Sequence, residues 1–506
     1  MAKKYTVSID IGTSGTKTVL FSSDGEVVCD ALYEYPMYQP RNGWAEQDPI
    51  DWKNASLSTV AQVVKQSGVN AEDIVGVGLS GQMHGLVMLD KNDNVLRNSI
   101  IWCDQRTGKE AIELTETIGA DKLIEITANP ALTGFTAAKI LWVKNNEPEI
   151  FAKCAKIMLP KDYIRYILTG EFATEVSDAS GMQLLDVPNR KWSPYVIDKL
   201  GIDINTLGKM YESCEVTGGI RKEIAEITGL KVGTVVAGGA GDQAASAVGN
   251  GIVREGIASA TLGTSGVVFV HTDKFALDPL GRVHTLCHAV PNCWHVMGVT
   301  QSAGLSFKWI RDNMFEEVKQ SAELLGQDVN YLMDKICATV PCGANGLMFL
   351  PYLMGERTPH LDPDARGMFF GLSAMHTKKD MLRAVMEGVI YSLFDCVNII
   401  EGMGAKLENV YMSGGGGNSF LWRQMMADTF GRTISMRGSW QGSALGAAIL
   451  AGVAGGIYET VPEACKVLSE DGNVTAPNME NNKIYAKYYE IYGALYTAVK
   501  GLYKKL

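Results

Sequence analysis

At 506 residues the chain is long enough for two domains, each with its own core. Hydrophobic residues at 46% and charged ones at 20% are ordinary globular values, which excludes wholesale disorder and a membrane-embedded chain. The net charge of −10 excludes the broad basic face that a phosphate backbone requires, so no nucleic-acid partner is expected.

Taken in order, Met-Ala-Lys-Lys passes at once into a strand-like run without an apolar h-region, so no signal peptide is expected. Alternation over Tyr5 to Ile11, Thr16 to Phe21 and Val27 to Tyr35 predicts three antiparallel strands, with Asp24-Gly25 turning the second hairpin. Between the first two lies Gly12-Thr13-Ser14-Gly15, whose amides and hydroxyls suit an anion. Asp10 stands just before this loop. A carboxylate beside a phosphate makes sense with a bridging cation, typically Mg²⁺ held through water. Taken alone, the loop reads better as a glycine-rich turn beside a solvated aspartate; its second copy reverses that.

A helix is expected from about Asp51 to Gln66, then a strand from Ile74 to Leu79 running into Ser80-Gly81-Gln82-Met83-His84-Gly85. Gly76-x-Gly78-x-x-Gly81 matches the dinucleotide-binding pattern, but a strand, Leu86 to Leu89, follows where that pattern needs a helix. The match is spurious. No G-x-x-x-x-G-K-[ST] exists either. His84, between two glycines on a strand-to-strand turn, reads equally as a satisfied core histidine or as a contact for a small polar molecule. Trp102-Cys103-Asp104-Gln105-Arg106 is likewise either a structural ion pair or the wall of a pocket.

Residues 108 to about 235 read as mostly helical, interrupted at Pro130, Pro148, Pro160 and Pro188. A buried strand, Val232 to Ala237, then feeds Gly238, Gly239 and Gly241, which lead into Asp242 and a helix of small apolar residues. This sets a carboxylate at or near a helix N-terminus. Some twenty residues later, strand-like Ile257 to Leu262 meets Gly263-Thr264-Ser265-Gly266 and continues as Val267 to Val270. The tetrapeptide thus recurs about half the chain after its first copy. A duplicated domain, each half opening on a phosphate-holding hairpin, is the reading that this repeat favours.

The second half continues with a helix from about Ser302 to Phe315, a polar loop Leu350 to His360 shaped by two prolines and a glycine, and a long helix Lys379 to Glu401. Strand Val410 to Met412 ends in Gly414-Gly415-Gly416-Gly417-Asn418, before a helix Phe420 to Phe430. Four glycines ahead of a helix are costly unless a ligand approaches the backbone. Ala444 to Ile457 is too short to span a bilayer and reads as a buried helix against another backbone. An amphipathic, Tyr-rich helix closes the chain. The ten cysteines are scattered without a C-x-x-C, so reduced thiols and a cytoplasmic location are expected, with no membrane partner.

Two further stretches, Gly134 to Asn146 (GFTAAKILWVKNN) and Gly367 to Glu387 (GMFFGLSAMHTKKDMLRAVME), resemble signature segments of the FGGY family of carbohydrate kinases position for position. The resemblance spans essentially the whole chain. Within the family, Gln82-Met83-His84-Gly85 and Gly355 to Pro363 (GERTPHLDP) are most similar to members that phosphorylate xylulose. The resemblance implies an α/β fold of two duplicated actin-like (ribonuclease-H-like) domains around a central cleft. Residues 1–252 would carry sugar binding and the catalytic base; residues 253–506 would carry the nucleotide.

Carried over by position, Asp242 is the expected base, and Asp10 the catalytic group on the Mg²⁺-phosphate side. Met83, His84, Trp102, Asp104, Asp242 and Gln243 are expected at the sugar. Thr13, Ser14, Gly263, Thr264, Gly304, Lys308, Gly415 and Asn418 are expected at ATP. The implied reaction is ATP-dependent conversion of D-xylulose to D-xylulose 5-phosphate. Glycerol or ribulose as acceptor is the alternative, and a sugar-independent ATPase or chaperone-like scaffold of the same superfamily is the remote one. Monomer and homodimer both stay open. Two departures from the family pattern bear on the substrate: Gln243 follows the base where xylulose-phosphorylating members usually carry Asn, and Trp440-Gln441 stands where many relatives are acidic.

Overall fold

The computed structural model of the protein describes residues 3–437, 442–468 and 471–506. Two seven-stranded sheets organise the described residues. The first is built from β1 (Tyr5–Ile11), β2 (Gly15–Ser22), β3 (Val27–Glu34), β4 (Ile74–Gly81), β5 (Val216–Gly219) and β6 (Val235–Ala237). Its order is β5-β6-β4-β1-β2-β3, with a short strand Ala240–Gly241 added to β4. The second contains β7 (Gly256–Leu262), β8 (Gly266–Thr272), β9 (His284–Cys287), β10 (Trp294–Thr300), β11 (Leu407–Ser413), β12 (Thr433–Arg437) and β13 (Asp471–Thr475). Its order, read in the matching direction, is β13-β12-β11-β7-β8-β10-β9.

The two orders correspond strand for strand, apart from the added Ala240–Gly241 and β9. In each sheet a hairpin (β1–β2, β7–β8) lies antiparallel, the strand beyond it (β4, β11) runs parallel to the first, and the next (β6, β12) is parallel again. The repeated tetrapeptide is therefore the trace of a repeated topology. The parallel strands end on one edge, where ligands collect in open α/β sheets.

Most predicted elements form with small shifts at their ends. Helices occupy Pro49–Ser67, Gly304–Met314, Lys378–Gly402 and Phe420–Phe430. The Tyr-rich C-terminal helix runs Met479–Tyr503 and buries Tyr485 and Tyr492 against the second half. Two expectations change. Val87–Leu89 pairs with Lys156–Met158 in a separate two-stranded ribbon rather than continuing the main sheet. The segment after residue 108 is a mixture of helices and short strands, packed around its own core that includes Leu86, Ile140 and Leu184.

The halves meet through helices Asp242–Gly249 and Gly442–Ala454, which share a core with Val19 and Phe21 of β2. This contact is backbone against backbone. A Cβ at Gly446 would lie 1.8 Å from the Ala245 carbonyl oxygen, and one at Gly78 would lie 2.0 Å from that of Ala447. An alanine at Gly446 would drive the two helices apart and one at Gly78 would lift the Gly442–Ala454 helix off β4, each at a cost of roughly 1–3 kcal/mol or more. Two glycines of the false dinucleotide pattern, Gly76 and Gly78, thus have a physical purpose: they let the Gly442–Ala454 helix lie on β4. Among the described residues no helix is long and apolar enough to cross a membrane.

Candidate active site

Sheet register brings the first carboxylates together. Asp10 lies at the end of β1 opposite Ser80 of β4, and Ala240 pairs with the same Ser80 from the other side. Two residues beyond Ala240 the helix Asp242–Gly249 begins, so Asp10 and Asp242 flank one strand end. Getting there takes a backbone that only glycine adopts easily: Gly239 has φ 78°, and a Cβ there would meet the Leu79 carbonyl oxygen at 2.4 Å. The amide of Gly241 donates to Ser177 Oγ at 3.2 Å, which fixes the turn.

The two carboxylates open on a cavity of about 380 Å³, lined by Asp10, Gly12, Thr13, Gln82, Met83, His84, Trp102, Asp242, Gln243, Ser265, Met297 and Ser443. Burial, and then the neighbouring Asp10, push the Asp242 carboxyl up to about 6. Asp10 is raised by burial too, against hydrogen bonds from Ser443 and Ser80 and the charge of Lys17. Ser443 Oγ donates to Asp10 Oδ2 at 2.7 Å, and Gln243 Nε2 to Asp242 Oδ2 at 3.3 Å. Two carboxylates held this close with partial compensation suit a hard divalent cation, whose oxygen-ligand chemistry Asp10 can meet.

His84 lines the same cavity. It sits in the left-handed region at φ 68° and donates from Nδ1 to the Gly181 carbonyl at 3.1 Å, while burial drives its pKa down to about 3. The ring is neutral, and with Nδ1 carrying the proton, Nε2 is an acceptor. Trp102, 48% exposed, spans to the first hairpin by donating from Nε1 to Thr13 Oγ1 at 3.0 Å.

A second cavity of about 350 Å³ is lined by Leu262, Gly263, Thr264, Gly304, Leu305, Phe307, Lys308, Arg311, Asn330, Asp334, Gly415, Gly416, Ser419 and Trp422. Its cations, Lys308 and Arg311, stand on one helix, and its far wall is the glycine loop after β11. Helix Gly304–Met314 begins on the hairpin itself: the amides of Gly304 and Leu305 donate to the carbonyls of Gly263 (2.8 Å) and Thr264 (3.1 Å). That contact requires glycine, since a Cβ at residue 304 would sit 2.4 Å from Gly263 O. The second hairpin stands between the cavities. Gly263 and Thr264 line this one, and Ser265 lines the other.

Most of the residues named from the sequence fall into these two cavities, and three do not. Asp104 is fully buried; it accepts from the Ala45 amide at 2.6 Å and from the Arg106 guanidinium, so it is the structural ion pair while Trp102 is the wall. Ser14 and Asn418 line neither cavity. Thr13, assigned to ATP from the sequence, lines the carboxylate cavity. Trp440 and Gln441 lie outside the described residues.

The sequence reading missed Ser443, Ser265, Arg311, Asn330, Asp334 and Trp422. Ser265 was visible in the repeat; the others come from distant helices with no motif. His271, Asp273 and Cys293 bring ligand-type atoms within 4.8 Å of one another but belong to neither cavity.

Comparison with known proteins gives the family and the fold. The model for the N-terminal domain of the FGGY family of carbohydrate kinases matches residues 5–249, and that for its C-terminal domain matches residues 258–455. The xylulose kinase of Bacillus subtilis is 38% identical over 504 residues, covering 99% of this chain and 98% of its own. That of Escherichia coli K12 is 40% identical over 449 residues, covering 88% and 90%. The crystal structure of xylulose kinase from Rhodospirillum rubrum superposes with a TM-score of 0.92 at 29% identity, covering 99% of this chain and 100% of that one.

Proposed function

The chain belongs to the FGGY family of carbohydrate kinases, and on that premise we propose that it transfers the γ-phosphoryl group of ATP to D-xylulose, giving D-xylulose 5-phosphate. The observation that carries this reading is the second hairpin, which borders both cavities: a donor bound on one side presents its terminal phosphate to an acceptor bound on the other. Residues 1–252 supply most of the acceptor side, with Ser265, Met297 and Ser443 added from the second half, and residues 253–506 supply the donor side.

Phosphoryl transfer has a loose transition state, so positioning and charge carry the catalysis. Asp242 orients the attacking primary hydroxyl and accepts its proton; a carboxyl raised to about 6 is a better base than a solvated one and is still mostly ionised at pH 7. His84 Nε2 accepts from a sugar hydroxyl, with Met83, Trp102 and Gln243 as further walls. Thr264, Gly304, Lys308 and Gly415 face the nucleotide, the lysine and backbone amides taking phosphate charge. Asp10 would hold Mg²⁺, and the ion would supply neutralisation of charge on the phosphates.

Gln243 keeps glycerol or ribulose as a second reading, because it lines the acceptor cavity and touches the base. An ADP-release assay over D-xylulose, D-ribulose, glycerol and D-gluconate separates the two. D-xylulose should give the highest kcat/KM. Another acceptor ranking first moves the substrate, and no sugar-dependent ADP release removes the proposal.

A further inference from the structure

The Gly134 to Asn146 signature segment contributes no side chain to either cavity. It does contain a buried lysine amine. Lys139, on helix Thr136–Asn146, is 0% exposed, and among the described residues no carboxylate lies within ion-pair distance of it. Burial pulls its pKa down to about 7, and an amine held there without a paired carboxylate is costly unless its hydrogen bonds are needed. Its donors go to two backbone carbonyls, His84 O at 2.7 Å and Gly134 O at 2.7 Å.

The neighbours of Lys139 act on the same turn. Thr136 Oγ1 donates to His84 O at 3.2 Å, and the Phe135 ring packs on the imidazole with centroids 4.6 Å apart. His84 has a left-handed backbone that a non-glycine residue adopts at a cost, and it holds that shape only if its surroundings impose it. A glycine at position 84 would adopt the turn freely but carry no imidazole. The chain keeps the histidine and clamps its carbonyl instead.

We propose that Lys139 is a positioning residue for sugar recognition: by fixing the His84 and Gly134 carbonyls it holds the left-handed turn that aims His84 Nε2 into the acceptor cavity. The proposal rests on the reading of that cavity as the sugar site. It gives the signature segment a purpose at the acceptor without contact to it.

The test uses the full-length protein carrying ¹⁵N-labelled histidine, with Lys139→Met as the near-isosteric variant. Without ligand, the wild-type His84 spectrum should show Nδ1–H and an unprotonated Nε2, and Lys139→Met should abolish that signature. In turnover the variant should raise KM for D-xylulose roughly tenfold to a hundredfold, with a smaller change in kcat and unchanged ATP affinity measured without sugar. His84→Ala added to Lys139→Met should cost little more, since the two act as a unit.

An unchanged KM beside a lowered melting temperature, or full additivity with His84→Ala, overturns the assignment. Should Lys139→Met not fold, Thr136→Val decides in its place: it removes one donor from the same carbonyl and should raise the sugar KM by a smaller factor, and no change rejects the clamp. A wild-type protein inactive on every sugar would instead reject the acceptor reading, while the histidine spectrum still reports on the clamp.

Discussion

The two Gly-Thr-Ser-Gly hairpins have the same four residues on the same topology and serve different ends. Two positions before the first stands Asp10, opposite Ser80; two positions before the second stands Thr261, opposite Ser413 and hydrogen-bonded to it at 2.8 Å. The first hairpin is held by side chains: Gly12 O accepts from the Tyr35 hydroxyl at 2.6 Å, and Thr13 O from Gln47 Nε2 at 2.7 Å. The second is held by a helix N-terminus, through the amides of Gly304 and Leu305. After the neighbouring parallel strand, the first half carries Met83 and His84, whereas the second carries a run of glycines. A duplicated backbone thus supplies two glycine-bounded turns, one at each cavity. Single residues at fixed offsets make one acidic and suited to an acceptor, the other open and suited to a donor.

Removing the first half's base should break this asymmetry most. Asp242→Asn keeps the shape and deletes the proton acceptor, so kcat should fall roughly 10²–10⁴-fold while ATP binding persists; near-wild-type turnover would end the assignment. The same change should raise the melting temperature at pH 7. A carboxyl whose folded pKa is lifted from 3.8 to about 6 binds more protons folded than unfolded in that window, so the native state loses stability as pH rises through it. Deleting the group removes that loss.

Erasing the Asp10–Thr261 difference comes next. Asp10→Asn should cost about a hundredfold or more in turnover and raise the Mg²⁺ concentration for half-maximal activity, since a bound cation is worth several kcal/mol to the transferring phosphate. A Mg²⁺ titration that superposes on wild type would place the metal elsewhere.

His84→Ala should lower kcat/KM for D-xylulose roughly tenfold to a hundredfold and narrow its lead over poorer ketoses, with ATP affinity unmoved. Lost stability with an intact sugar ranking would return His84 to the core. The acidic limb of the pH profile follows from the same cavity. Asp242 works deprotonated, so kcat/KM should fall about tenfold per unit below pH 6, and the residual activity of Asp242→Asn should lack that limb.

The smallest effects compare the hairpins directly. Thr13→Val removes the acceptor for Trp102 Nε1 and should weaken sugar use; Thr264→Val should raise the ATP KM alone, each by roughly fivefold to tenfold. Identical profiles for the two variants would mean that both hairpins face one ligand.

Local signals in the chain were sufficient for the duplication, the strands flanking each hairpin, Asp10, Asp242 and the glycine loop after β11, because glycine placement and strand alternation are short-range properties. They were also sufficient to reject Gly76-x-Gly78-x-x-Gly81 as a nucleotide loop, though not to say why the glycines are there. For Gly76 and Gly78 that answer needed the Gly442–Ala454 helix, hundreds of residues away, lying on β4. The ambiguity at residues 102–106 is of the same kind: the sequence offered an ion pair or a wall, and burial sent Asp104 to Arg106 and left Trp102 in the cavity. Ser443 on Asp10, Lys139 on the His84 carbonyl and Asp334 in the second cavity had no motif to reveal them. Their positions depend on which helix packs on which sheet. Periodicity along the chain shows which face of an element is buried; only the closed packing of both halves decides what that face meets.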